Sequence, residues 1–214
     1  MPFRAHRLCV ALCVLLVSGG AGKPGSRVTL EDLAAGLARL PGLEARFREE
    51  RRFAVLAEPL VNEGSLYFAP PRFLLWRVER PIRSELLLRD REVSVSAEGR
   101  TQRIDLASEP LARAFVDGFL LLLSGDVSGI RAAYEVRLEA EPSDERWRIE
   151  LLPRAEEARA AITSLEMWGA GSKPEGLALR LTSGDEIRTR FVSIDAARSF
   201  SPSELEELFR APRP

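Results

Sequence analysis

His6, Cys9 and Cys13 are the residues of this 214-residue chain best suited to nucleophilic, redox or metal chemistry, and all three lie in its first stretch. An imidazole serves as a general base, and a thiolate as a nucleophile or soft metal ligand. Here, however, they sit inside what reads as an export leader over 1–22. Arg4 and Arg7 give a basic start, Leu8 to Val17 an apolar core, and Ser18-Gly19-Gly20-Ala21-Gly22 small residues for cleavage. That core is shorter than the roughly 20 apolar residues that cross a bilayer. With a cut near Gly22 the mature chain, 23–214, has neither histidine nor cysteine. Disulfides, thiolate or imidazole metal sites and histidine-based triads are then excluded. Leu12 is a bulky residue directly ahead of Cys13 and early in the apolar core, which argues against lipid attachment there. The expectation is a soluble protein of the periplasm.

The other reactive groups do not assemble. Carboxylates are plentiful, but they fall on solvated strand faces or in runs such as Glu156-Glu157 and Glu204…Glu207. Gly169-Ala170-Gly171-Ser172-Lys173 lies in a turn between strands rather than ahead of a helix, so it is not a phosphate loop. There is no G-x-S-x-G elbow and no aspartate-glycine calcium loop. The cationic run Arg46…Arg52 is interleaved with acids and lacks aromatic stacking platforms, which excludes nucleic acid as a partner. Two of the 31 basic residues and none of the 32 acidic ones belong to the leader, so the remainder is slightly acidic. The expectation is no enzyme, no metal and no cofactor.

What the sequence has in surplus is apolar side chain. In Gly64–Ser84 two apolar strands are divided by Pro70-Pro71-Arg72, and Phe73, Leu74, Leu75 and Trp76 run together. Such a run fits a strand buried on both faces, and equally a strand with a core on one side and an apolar cavity on the other. From Leu43 to Leu56 the period is two, with Leu43, Ala45, Phe47, Phe53 and Val55 on one face. Glu49 and Arg51 interrupt that face. They mark a bulge, a strand end or a mutual ion pair, or else a polar fixture at a cavity mouth.

The elements that must hold these residues follow from the periodicity. Strands are predicted at about 64–69, 72–79, 82–89, 92–97 and 100–106, then at 132–140, 145–152, 161–168, 176–182 and 186–194. Links this short force antiparallel neighbours. Thr29 caps a helix carrying Leu30, Leu33, Leu37 and Leu40. Ser108-Glu109-Pro110 opens a second helix, with Leu111, Ala114, Phe115, Gly118, Phe119 and Leu122 in one stripe and Leu120, Leu121 and Leu123 widening it. Ser201-Pro202-Ser203-Glu204 opens a third. The fold class is mainly β (α+β): a single curled antiparallel sheet of about eleven strands, an incomplete barrel plugged by short helices.

The motifs Leu43-x-Ala45-x-Phe47-x-Glu49 and Gly64-x-Leu66-x-Phe68, followed by Pro71-x-x-x-x-Trp76-x-x-x-x-Pro81-x-x-Ser84 and, after Asp195, Phe200-Ser201-Pro202, resemble the periplasmic lipoprotein carrier family LolA. They resemble the wider LolA/LolB-like superfamily too. The resemblance implies an incomplete barrel with a helical lid that binds acyl chains of lipoproteins or lipids. An inner-membrane ABC transporter or other exporter would release the cargo, and an outer-membrane receptor would take it. The family's lid-tying arginine ahead of the proline is Pro70 here, with Arg72 displaced. Asp90-Arg91 replaces its Asp-Gly hairpin, and the following tryptophan is absent. The expected cavity residues are Phe47, Leu66, Phe68, Leu74, Trp76, Leu86 and Leu88 from the sheet, with Phe115, Phe119 and Leu122 from the helix. The protein is expected to act as a monomer. The rival reading is a scaffold of the same fold with a filled core, acting through protein contacts in an envelope complex.

Overall fold

The computed structural model describes residues 28–89, 92–106, 109–141 and 145–210. The predicted leader with His6, Cys9 and Cys13, the Asp90-Arg91 link and the predicted Ser108 cap lie outside the described residues, as does the side chain of Phe115.

Eleven strands form one antiparallel sheet: β1 (Leu43–Arg52), β2 (Leu60–Ala69), β3 (Phe73–Arg80), β4 (Ser84–Arg89), β5 (Glu92–Ala97), β6 (Arg100–Ile104), β7 (Tyr134–Glu141), β8 (Arg146–Pro153), β9 (Ile162–Ala170), β10 (Lys173–Leu181) and β11 (Glu186–Asp195). Their spatial order is β6-β5-β4-β3-β2-β1-β11-β10-β9-β8-β7. Two meanders thus meet at a seam where β1 pairs with β11, from Glu44 opposite Asp195 to Arg52 opposite Glu186. The free edges are β6 and β7. They are consecutive in sequence, so the chain between them must cross the open side. It does so as α2 (Pro110–Ser124) and α3 (Val127–Ala133). Gly125 ends α2 in the left-handed region at φ 74°, and a Cβ there would press on Ala38.

Packed against α2 is α1 (Leu30–Ala38), whose Thr29–Asp32 capping box satisfies the free N–H groups of its first turn. The short α4 (Glu156–Arg159) and α3 are absent from the sequence-predicted elements. At four and seven residues, neither gives a periodic stripe long enough to read. The first strand ends at Arg52 instead of Leu56; Val55 and Leu56 are exposed in a turn, and the next strand begins at Leu60, four residues early.

The core lies on the concave face. Register places Leu43, Ala45 and Phe47 of β1 in one layer with Phe68 and Leu66 of β2, Leu74 and Trp76 of β3, and Leu88 and Leu86 of β4. Across the seam the layer continues through Leu177 and Leu179 of β10, Leu165 and Met167 of β9, and Ile149 and Leu151 of β8. The alternate residues Ala69, Leu75 and Leu87 point to the convex side, where Phe209 at the end of α5 (Pro202–Leu208) covers them. Phe73-Leu74-Leu75-Trp76 is therefore apolar on both faces because both faces of β3 are covered, one by the core and one by α5.

Candidate functional site

The sequence-predicted residues divide into two groups. Leu74, Trp76 and Leu86 line an open cavity of about 300 Å³ with Val78, Val95, Leu177, Leu179 and Ile187. Side chains of β1, β3, β4, β5, β10 and β11 enclose it. Phe47, Leu66 and Phe68 are fully packed core beside it. The Phe47 ring lies 4.7 Å from that of Trp76, centre to centre, and so forms the floor beneath it. Phe119 and Leu122 of α2 are also buried, with Phe119 edge-on to Phe68 at 6.3 Å. Under α2 only about 20 Å³ is empty. The hollow thus lies beside the helical plug, not beneath it. Leu88 faces a different space, a groove along the flank of α2.

Glu49 lines the cavity and is 3 % exposed on a face that is otherwise oily. Burying a carboxylate is costly unless it is paired and hydrogen-bonded. Glu49 meets that condition three times: Arg51 Nε donates at 2.7 Å, Asn62 Nδ2 at 2.8 Å and Thr189 Oγ1 at 3.3 Å. Asn62 and Thr189 stand directly opposite Glu49 on the two neighbouring strands. Glu49 and Arg51 therefore form an ion pair, and both residues line the cavity.

Tyr134 fastens the plug. It opens β7 and is buried, and its hydroxyl donates to the carbonyl of Ala114 on α2 at 2.8 Å. Burial, reinforced by the nearby Asp117 carboxylate, pushes the phenol up to about 12. Gly118, one turn along α2 from Ala114, makes this approach feasible. A Cβ there would stand 3.1 Å from the tyrosine hydroxyl and 3.3 Å from Leu165. Sequence reasoning passed over Tyr134 because its alternation with Val136 and Leu138 is explained by strand pairing alone. The available signal was a phenol on an inward-facing edge position, which requires a hydrogen-bond partner when buried.

A curled sheet whose open side is stoppered by helices, with an apolar hollow beside the stopper, defines an incomplete barrel. The chain belongs to the outer membrane lipoprotein carrier protein LolA-like family, which it matches over residues 22–209. No curated protein matches it. Among solved structures, it is similar to a LolA superfamily protein of Nitrosomonas europaea (10 % identity, TM-score 0.44, covering 83 % of this chain and 97 % of that one). It is also similar to a putative outer membrane lipoprotein-sorting protein domain of Vibrio parahaemolyticus (8 %, 0.48, 83 % and 95 %). A third likeness is to a DUF1329 family protein of Desulfovibrio piger (11 %, 0.47, 85 % and 95 %). Among the described residues, no helix is long and apolar enough to cross a membrane.

Proposed function

We propose that this protein is a periplasmic carrier, exported by a leader cut near Gly22, that shelters the acyl chains of lipoproteins or lipids on its concave wall between the inner and outer membranes. The observation that carries this reading is the open apolar cavity bounded by Leu74, Trp76, Leu86 and Leu179. Large side chains surround a space they do not fill. Each buried methylene contributes about 0.8 kcal/mol, so a fully buried sixteen-carbon chain would gain roughly 12 kcal/mol. The cavity as it stands lies at the small end of ligand pockets. A long chain gains the rest of its contact by displacing Phe119 and Leu122 of α2. Lifting α2 breaks the Tyr134–Ala114 hydrogen bond and exposes apolar surface, which offsets part of the gain and keeps the cargo releasable. No bond is made or broken in such a task.

The test is direct. The mature protein should carry extractable acyl lipid, seen by mass spectrometry, and should bind a fluorescent fatty acid. Leu86→Glu, which places a charge in the cavity at a half-buried position, should weaken that binding at least tenfold. Absence of lipid and of binding overturns the reading. The close packing beneath α2 favours the second reading, a scaffold acting through protein contacts. In that case, pull-down partners would survive Leu86→Glu while no acyl ligand would be found.

A further inference from the structure

We infer that the groove along the flank of α2 is a second ligand site, built for a single-chain amphiphile with an anionic phosphate head. The groove measures about 1340 Å³ and runs between the Pro71-Arg72 turn and Leu106 on one side and Tyr134, Pro153 and Ala158 on the other. It is separate from the concave cavity, and the two share no lining residue.

Two features define its chemistry. The first is the apolar floor. Leu120 and Leu121, which broaden the leucine stripe of α2, are only half-buried and face this groove, while Phe119 and Leu122 face the core. A helix apolar nearly all round needs apolar cover on every side, and the core and the neighbouring helices leave Leu120 and Leu121 partly exposed towards the groove. The second is charge. Among the described residues, Arg113 and Arg154 line the groove, together with Arg72 and the acid Asp117, which each have other partners. Arg154 is held in place from behind: its Nε donates to the carbonyls of Tyr134 at 3.0 Å and Arg131 at 3.2 Å. That leaves its two terminal nitrogens, the paired donors that suit a phosphate, for the groove. Arg113 is exposed on α2, and among the described residues no acceptor reaches it. Apolar walls with a net cationic rim select a tail carrying a negative head over a neutral or zwitterionic one.

The experiment compares lyso-phosphatidylglycerol with the monoacylglycerol of the same chain length, which lacks the phosphate, each below its aggregation concentration, by titration calorimetry on the mature protein. The anionic lipid should bind at least about tenfold more tightly, the effect of one charge-assisted hydrogen bond. Arg113→Gln/Arg154→Gln should bring the two affinities together by weakening only the anionic lipid, and binding of the monoacylglycerol reports that the variant is folded. Arg113→Gln alone, at an exposed position, should remove part of the preference without touching the Arg154 anchor. Leu86→Glu should weaken fatty-acid binding in the concave cavity at least tenfold yet leave the preference for the anionic lipid intact. Equal affinities in the wild type, a preference that survives the double substitution, or one lost in Leu86→Glu would overturn the second site. So would displacement of the lipid by inorganic phosphate at matching concentration, which would mark an anion site with no use for the tail.

Discussion

Two buried polar residues, Glu49 and Tyr134, tie separate elements of the site together by hydrogen bonds. Glu49→Ala leaves Arg51, Asn62 and Thr189 without their shared acceptor. Loss of about 2 kcal/mol of stability is expected by urea denaturation, since unmade buried hydrogen bonds cost about 1–3 kcal/mol. Glu49→Gln keeps an acceptor and should lose less. Tyr134→Phe removes one hydrogen bond between sheet and plug, at about 1 kcal/mol. In the carrier reading it should raise affinity for an acyl chain while lowering the melting temperature. The alkaline limb checks the same residue. A phenol raised from 10.0 to about 12 stays protonated in the folded protein while the unfolded chain ionises. Its contribution is fully present below pH 10 and is lost as pH rises towards 12. Tyr134→Phe should flatten that decline. An unchanged slope would place the tyrosine in water.

At the scale of the element, α5 behaves as a clip on the convex face. Ser201 and Glu204 form its capping box, and Arg198 joins Glu204 to Glu44 on β1. Backbone and side-chain hydrogen bonds from Ser201, together with Arg198, hold the Glu204 carboxyl down at about 2. A depressed carboxylate stabilises the fold above its unfolded value of 4.5, and that contribution disappears as pH falls towards 2. Acidification through this window should therefore release α5 before the sheet unfolds, seen as early amide exchange in 202–208. Phe209 anchors the clip, with its ring 5.3 Å from that of Phe73. Phe209→Ala should cost about 3–4 kcal/mol, as for other buried phenylalanines, and should expose Leu75 and Leu87 to a hydrophobic dye. Retained stability would make α5 an ornament on the sheet.

For the whole molecule, the topology predicts a gradient of stability. The seam between β1 and β11 lies at the middle of the sheet with paired neighbours on both sides, whereas β6 is an edge whose residues are largely exposed. Amide exchange should be slowest for Phe47 and Thr189 and fastest in β6. An acyl ligand should speed exchange in α2 as it displaces the plug, leaving the seam unchanged. Uniform protection across the sheet would contradict this reading of the open barrel.

The sequence by itself determined the alternation of residues along each strand, the short links and hence the antiparallel meanders, because neighbouring positions on a strand have only two faces to choose between. Ser183-Gly184 at the β10–β11 hairpin, with Gly184 at φ 89°, is legible for the same local reason. It also marked Leu74, Trp76 and Leu86 as candidates, since an unbroken apolar run stands out in a line of residues. Which of the oily side chains border space and which simply touch one another was decided by the tertiary structure. Phe47 and Phe68 share the spacing of Trp76 and Leu86, and only the curl of the sheet and the seating of α2 separate floor from wall. Tyr134 and Ala114 are twenty residues apart. Their bond exists because the two edges of the sheet fail to meet and the chain must bridge the gap, and a pattern of neighbours along the chain holds no record of that distance.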